Sequence, residues 1–405
     1  MKPPVNNRES GSTLHYLVIS LVFLLSVLAS AAEVFAIDLL VPDEFFTIDE
    51  AMNFAEPGDT VIVKPGTYNE RIKIKEGVSL VSFAGPDGND LVDGPGKKKV
   101  LRRTLRTIID GSGITTPGYL IRFPTDTKAA MALDGFTVIN MPKYISGLPL
   151  FLVQIRGCSP RVENNIIANN QSFGGVLSTG LGLAMGPVLE TVARPVIRNN
   201  VVYGNHGPGI ANGPNSAALI SHNEIFGNLF PKEEAQHGFD AVVRRRNAPC
   251  IGMREYARPI IENNECYNNG DGIGGINLTS HDDTLIIRNN ILYDNKHGGI
   301  GMRALGGADT DIKILIKNNT ISGHAEGGIR LLKLDNVKIV DNHIFDNRKT
   351  GVICYHVDNL LMERNEIHGN QAAGIRLLDV YSATLRHNRI YRNVTGGIDF
   401  IGWEK

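Results

Sequence analysis

The feature that most constrains this chain is a recurrence of asparagine between residues 165 and 393. A leading Asn is followed two residues later by an apolar side chain and five residues later by a second Asn. The pairs are Asn165/Asn170, Asn200/Asn205, Asn223/Asn228, Asn264/Asn269, Asn290/Asn295, Asn342/Asn347, Asn365/Asn370 and Asn388/Asn393, and Asn319 is followed by His324 instead. The leading residues at 319, 342, 365 and 388 stand 23 apart, and the earlier intervals of 35, 23, 41, 26 and 29 read as the same unit carrying insertions. A period of this length describes a solenoid, whose units bury a core only by stacking on one another. Three residues before each leading Asn runs the column Val162, Ile197, Ile220, Ile261, Ile287, Ile316, Ile339, Met362 and Leu385. Two after it runs Ile167, Val202, Ile225, Cys266, Leu292, Ile321, Ile344, Ile367 and Ile390. Ten and twelve after it, behind a Gly, come pairs such as Ile329/Leu331, Val352/Cys354, Ile375/Leu377 and Ile398/Phe400. Spacing of two within each segment is strand periodicity. The expected fold is all-β, a single-stranded parallel β-helix with three short strands per rung and rungs ~4.8 Å apart.

Asn suits the turns because it tolerates left-handed backbone and because its amide, stacked in register, donates to one neighbour while accepting from the other. Turn and ladder chemistry therefore accounts for these residues, and none of them is a catalytic candidate. The 405 residues, 42% of them apolar, suffice for a large core, and one continuous repeat argues for a single elongated domain. A net charge of −1 gives no reason to expect a nucleic-acid partner. Four cysteines are too few for a disulfide framework. Cys266 and Cys354 fall in inward columns, Cys158 and Cys250 fall in turns at different phases, and all four are expected as thiols.

Along the chain, residues 1–36 have the form of an export signal: Lys2 and Arg8 precede an apolar run from Leu14 to Ala32, and Val34-Phe35-Ala36 makes a cleavage-like end. The run is also long enough for an uncleaved anchor, which would be the chain's one tie to a membrane. In either case the remainder is expected outside the cytoplasm, secreted, periplasmic or on the cell surface. Residues 37–130 are expected to form a cap and first irregular coils, continuous with Asn-rich rungs over 131–405. Thr47-Ile48-Asp49-Glu50 has the capping-box pattern, and Ile48, Met52 and Ala55 would line the buried face of a short lid helix. Residues 84–106, rich in Gly and Pro and carrying Lys97, Lys98, Lys99, Arg102 and Arg103, are expected as an exposed loop with solvated charge. Insertions at about 171–193 and 229–257 rejoin the repeat through Ala193-Arg194-Pro195-Val196-Ile197 and Ala257-Arg258-Pro259-Ile260-Ile261. Loops bulging from one side of a stack are where a β-helix builds a groove. The stretch AMNFAEPGDTVIVKPGTYNERIKIKEGVSLVS resembles the N-terminal entry of the pectin-lyase-like right-handed parallel β-helix superfamily. Asp134-Gly135-Phe136-Thr137-Val138 and the later Asn-rich coils resemble its repeats. That resemblance implies the fold and its right hand; it does not fix an activity, because this fold hosts unrelated chemistries.

The strand after each Gly-Ile offers the candidate chemistry. One residue past the inward apolar position stand Gly301, Arg330, Ile353, Arg376 and Asp399; three past it stand Arg303, Leu332, Tyr355, Leu378 and Ile401. Lys333, His356 and Asp379 follow, then Asp335 and Asp358. On adjacent rungs these would share one face. Guanidinium groups pair with a sugar carboxylate, and a base removes the proton beside it. Arg330, Arg376, Tyr355 and His356 are therefore the catalytic candidates, and Arg303, Lys333, Asp240, Asp358 and Asp379 the substrate-binding ones, with His237 and Arg244–Arg246 beside Asp240. Asp335, Asp358 and Asp379 are the candidate for a calcium ion. The competing reading is an ordinary solvated ladder, like the column Glu163, Arg198, Ser221, Glu262, Arg288, Lys317, Val340, Glu363 and Arg386 two residues before each leading Asn. The catalytic segments of pectin methylesterases and alginate epimerases have no counterpart here; His281-Asp282-Asp283 and His237-Gly238-Phe239-Asp240 are loose echoes. The eleven His show no pair at metal-ligand spacing. Two functions are expected to compete: binding of an extracellular acidic polysaccharide with cleavage or epimerisation, and a non-catalytic scaffold or accessory role, as in the β-helix accessory proteins of copper-enzyme maturation in the same superfamily.

Overall fold

A computed structural model describes residues 36–142, 151–179, 191–230, 248–279, 281–304 and 312–402. From Asp38 onward these form one compact unit. Its strands fall into three long parallel sheets. Sheet A has 13 strands, from Asp38–Val41 to Ala383–Arg386; sheet B has 12, from Gly66–Tyr68 to Arg389–Tyr391; sheet C has 12, from Ile72–Lys73 to Gly396–Ile401. The chain visits A, B and C in turn and climbs one rung per circuit, giving the right-handed parallel β-helix. Each rung is short of backbone partners alone and finds them above and below, as Ile314↔Val337, Thr320↔His343 and Ile329↔Val352 show in the three sheets.

The inward columns are buried: Ile316, Ile339, Ile321, Ile344, Ile329, Leu331 and Cys354 have no solvent exposure. At the last rung Ile398 and Phe400 continue the same columns but are 49% and 66% exposed, because no later rung among the described residues stacks on them. At the other end helix α1 (Ile48–Phe54) is the lid. Thr47 Oγ1 accepts from the Glu50 N–H at 3.1 Å and Glu50 Oε2 accepts from the Thr47 N–H at 3.2 Å, with Ile48, Met52 and Ala55 buried against the first rungs.

The turns divide their work between two residues. The left-handed position belongs to the residue before each ladder Asn: Asn164, Asn199, Asn289, Asp341 and Arg364 between sheets A and B, and Asn169, Gly204, Asp346 and Gly369 after sheet B. The ladder Asn residues themselves stay out of that region and supply only their amides. Asn342 is typical. Its Nδ2 donates to Asn365 Oδ1 (3.0 Å) and to the Ile316 and Val340 carbonyls (2.9 and 3.0 Å), while its Oδ1 accepts from Asn319 N and Nδ2 (2.9 and 3.0 Å).

The expectation of four thiols fails at two of them: Cys250 and Cys266 form a disulfide, with Cα atoms 5.9 Å apart. Cys250 lies not in a turn but on the strand Pro249–Arg254 of sheet C, where the preceding insertion hides its register. It aligns with the Gly that precedes the inward Ile in other rungs (Ile210↔Ile251, Ile251↔Ile273). That slot is Gly elsewhere because a Cβ would strike the Ile of sheet B in the next rung: 2.5 Å for Gly209 against Ile225, Gly299 against Ile321 and Gly328 against Ile344. Where Cys replaces the Gly, Cys266 replaces the Ile, and the two sulfurs share the space. Cys158 and Cys354 remain free and buried, and burial pushes the Cys354 thiol up to about 12. The double variant Cys250→Gly/Cys266→Ile is expected to be more stable to urea than Cys266→Ile alone, although both lack a cross-link worth about 3 kcal/mol. Only the single variant forces a Cβ onto an Ile methyl. A double variant no more stable than the single one refutes the shared-slot account.

Residues 84–106 also depart from expectation. Leu91–Asp93 and Lys99–Leu101 pair antiparallel, helix α2 (Arg102–Arg106) follows, and Val100 joins a buried cluster with Ile166, Ala168 and Val201 of sheet B, against which Val92 also packs. The Lys97 and Lys98 N–H groups donate to the two oxygens of buried Glu224 at 2.7 and 2.8 Å. Arg103, 6% exposed, binds Ser82 and Asp134. The Gly and Pro that suggested a free loop instead allow a close approach: a Cβ on Gly96 would lie 2.4 Å from the Glu224 carboxylate.

Candidate functional site

The outer face of sheet C carries the candidate residues in two columns. In the first, Arg122 pairs with Gln154, then Leu177, Ala211, Gly252, Gly274, Gly301, Arg330, Ile353, Arg376 and Asp399 follow rung by rung. In the second, Arg156 lies beside Thr179, Arg254 beside Ile276, and Arg303, Leu332, Tyr355, Leu378 and Ile401 run in register. Four rungs from Ala211 to Gly301 thus present almost bare backbone, a floor of roughly 15 Å between its end rungs at the usual strand spacing. A Cβ on Gly301 would meet nothing within 4 Å. Arg254 and Arg303 stand beside this floor and Arg330 closes one end, all three exposed.

Charge distinguishes this face. On sheet A the expected mixed ladder neutralises itself: Arg198 meets Glu163 at 2.9 Å, Arg288 meets Glu262 at 2.7 Å, and Arg386 meets Glu363 at 2.9 Å. On sheet C only Arg376 is paired, its Nε donating to Asp399 Oδ2 at 2.7 Å. Arg122, Arg156, Arg254, Arg303 and Arg330 have no acidic partner among the described residues. Among the described residues the face thus carries five guanidinium groups without an acidic partner, groups suited to pair with carboxylate or sulfate.

The remaining candidates gather at the corner where sheet C turns toward sheet A. Lys333, His356 and Asp379 occupy its left-handed position on consecutive rungs, with φ of 54°, 49° and 49°. His356 Nε2 lies 3.9 Å from Asp379 Oδ2, and the Tyr355 and His356 ring centroids are 4.0 Å apart. Arg330 and Arg376 are two rungs apart with Ile353 between them, so they do not grip one group together. Asp335 and Asp358 are register neighbours, and Asp358 Oδ1 accepts from the Tyr381 N–H at 3.3 Å. Among the described residues no group of three or more His, Cys, Asp or Glu is arranged to hold a metal ion, so the three aspartates do not converge as a calcium site. Asp240, His237 and Arg244–Arg246 lie outside the described residues, as does the apolar segment Leu14–Ala32. No helix among the described residues is long and apolar enough to cross a membrane.

Three of the arginines, Arg122, Arg156 and Arg254, escape sequence reasoning, because insertions separate their rungs from the regular 23-residue stretch. Near the start of their strands stand Leu120-Ile121, Leu152-Val153 and Cys250-Ile251, without the Gly that marks the regular rungs. Two other surfaces compete less well. Sheet B bears a ladder of rings, Tyr203, Phe226, Tyr267 and Tyr293, whose planes lie within 10° of one another at 5.0 to 5.1 Å. The rings stack on one another, and Lys97 Nζ lies over the Tyr267 and Tyr293 rings at 4.7 and 4.5 Å. Burial pushes the Tyr267 and Tyr293 hydroxyls up, reinforced by their hydrogen bonds to Glu224 and Glu265. Sheet A has an open concavity around Ile286, Leu315 and Leu361, edged by Lys313, Lys338, Asn336 and Asn359.

None of the curated protein sequences matches this chain. Among solved structures it is similar to the catalytic unit of a thermostable GH87 alpha-1,3-glucanase from Streptomyces thermodiastaticus strain HF3-3 (15% identity, TM-score 0.55), covering 88% of this chain but only 62% of that one. It is similar to XylC in complex with xylose (11% identity, TM-score 0.50, 87% and 85% covered) and to the Dettilon tailspike protein (13%, 0.50, 85% and 62%). At these identities the likeness is one of fold. A family described as a protein of unknown function, DUF1565, matches residues 42–182. The family described as the right handed beta helix region matches residues 153–313 and 301–405, more than half of the chain, and the protein belongs to that family.

Proposed function

We propose that this is an exported β-helix protein that binds an acidic polysaccharide lengthwise along the outer face of sheet C. The observation that carries the reading is the contrast between sheets: arginines paired rung by rung on sheet A, and Arg254, Arg303 and Arg330 unpaired beside a backbone floor on sheet C. The named activity of the glucanase and the bound xylose of XylC are consistent with a glycan partner. Export rests on the N-terminal segment and on the Cys250–Cys266 disulfide, a bond that persists in oxidising compartments. Turnover, by cleavage or epimerisation, would fall to Tyr355 and His356 with Asp379 beside them, and to Arg330 and Arg376 as carboxylate grips.

Binding is tested with a polyuronate and a neutral glucan over a range of salt. The polyuronate alone is expected to bind, more weakly as salt rises. Arg303→Ala and Arg330→Ala should each weaken it about 10- to 100-fold, the size of a charge-assisted hydrogen bond, while thermal stability stays within the range of surface substitutions. Gly301→Trp should block the floor without destabilising the rung. Arg288→Ala on sheet A is the control. Equal binding of the neutral glucan, no binding of either, or equal damage from Arg288→Ala defeats the proposal. New ultraviolet absorbance or a changed epimer ratio on incubation with uronates would add catalysis to binding.

A further inference from the structure

We propose that His343 and His368, on the outer face of sheet B, form a binding site for a divalent transition-metal ion. His343 opens the strand His343–Phe345 and His368 closes Glu366–His368 on the next rung. Since His343 registers with Glu366 and Phe345 with His368, the two imidazoles are diagonal neighbours. Their Nε2 atoms lie 2.9 Å apart. Two imidazole nitrogens bound at 2.0–2.1 Å to one tetrahedral ion stand roughly 3.3 Å apart. A shift of a few tenths of an ångström therefore turns the pair from a shared proton to a shared metal.

The neighbours hold both rings in place beforehand. His343 lies against Phe345 with centroids at 4.3 Å, and His368 is stacked between Phe345 and Tyr391 at 5.4 and 4.8 Å. Glu366 adds negative charge on the same face, its Oε1 accepting from the Tyr391 hydroxyl at 2.8 Å and lying 3.3 Å from Arg389. Such a hydrogen-bonded carboxylate beside metal-binding imidazoles steadies the site and its charge. Among the described residues no third His, Cys, Asp or Glu converges there, which leaves the remaining coordination positions to water. Two neutral nitrogen donors select zinc, nickel or copper over calcium or magnesium. In a 23-residue repeat this pair is 25 apart, one rung plus two residues, a ligand spacing that motifs on a single helix or loop never show. The inference is independent of any glycan on sheet C.

Zinc titrated into the full chain against a chromophoric chelator should show one ion bound. The affinity should fall at least tenfold in His343→Ala and in His368→Ala and stay unchanged in His297→Ala. Retained affinity in the double variant, or no bound zinc in the native protein, overturns the proposal. Should the variants fail to fold by circular dichroism, zinc-edge X-ray absorption of the native protein decides. Two imidazoles at 2.0–2.1 Å support the site, and an all-oxygen shell refutes it.

Discussion

Asn342→Ala is expected to lower the unfolding free energy by about 3–5 kcal/mol, more than any surface change on this protein, because it breaks five buried hydrogen bonds to neighbouring rungs and its own strand at once. The alanine removes the acceptor of Asn319 N and Nδ2 and the donor of Asn365 Oδ1, Ile316 O and Val340 O. Asn319 and Asn365 are each 1% exposed, so water cannot substitute. A buried donor left without a partner is penalised by about 1–3 kcal/mol; the Asn319 N–H is left with none, and Asn319 Nδ2 keeps only the Ile287 carbonyl. Asn342→Asp separates the roles of the amide: it keeps the acceptor that Asn319 needs but removes the donor and sets a carboxylate against Asn365 Oδ1. It should be at least as damaging as the alanine. Urea denaturation checks both. A loss under about 1 kcal/mol in Asn342→Ala, the size of one net hydrogen bond, would mean that the ladder merely accompanies the stack.

The ladder was legible because it obeys a one-dimensional rule. Each rung must give the next the same hydrogen bonds and the same apolar interior, so the pattern recurs at fixed spacing and one chain shows it without relatives. The same rule also hid what broke it. Cys250 and Cys266 look unrelated at a separation of 16, yet they are a Gly slot and an Ile slot exchanged together. Seeing this needs the three-dimensional neighbour of the Gly, which belongs to the following rung. The division of labour at the turns is hidden for a related reason. Asn tolerates the left-handed region, but so do Asp341, Arg364 and His387 when a two-residue turn leaves them no other path. Composition alone does not say which of two adjacent Asn bends and which one bonds.

The candidate face was half legible. The columns through Arg330, Arg376 and Tyr355 follow from counting, and the registers place them as counted. What counting could not supply was charge balance. Arg376 and Arg330 are identical as letters, but Asp399 neutralises the first and nothing described neutralises the second. Likewise the basic cluster at 97–103 read as solvated, whereas its backbone N–H groups clamp Glu224, 2% exposed and more than a hundred residues away. Loops that pack by backbone N–H leave no apolar signature in the sequence.

The one lapse in the ladder makes the second large effect, a dependence of stability on pH that His324→Asn should abolish. His324 takes the place of a ladder Asn with no solvent exposure. Its Nδ1 accepts from the Asn295 backbone N–H at 3.2 Å, so the neutral ring supplies the ladder's acceptor, while the His324 backbone N–H donates to Asn347 Oδ1 at 3.2 Å. Burial holds its pKa down at about 4, against an ordinary value of 6.5. The folded protein therefore keeps this ring neutral where the unfolded chain takes up a proton. The stabilising contribution is complete above pH 6.5 and drains away as pH falls toward 4. That difference amounts to about 2 kcal/mol at pH 5 and about 3 kcal/mol near pH 4. Asn at this position has no proton to gain and restores both halves of the amide pair between Asn295 and Asn347. The two proteins should thus differ little at pH 7.5 and diverge on acidification, the variant melting higher by an amount that grows from pH 6.5 down. Carboxylates titrating in the same range act on both proteins alike and cancel in the comparison. Parallel melting curves for the two proteins from pH 7.5 to pH 4.5 would show that His324 does not stay neutral inside the stack, and the ladder would then have to carry a charge at its sixth rung.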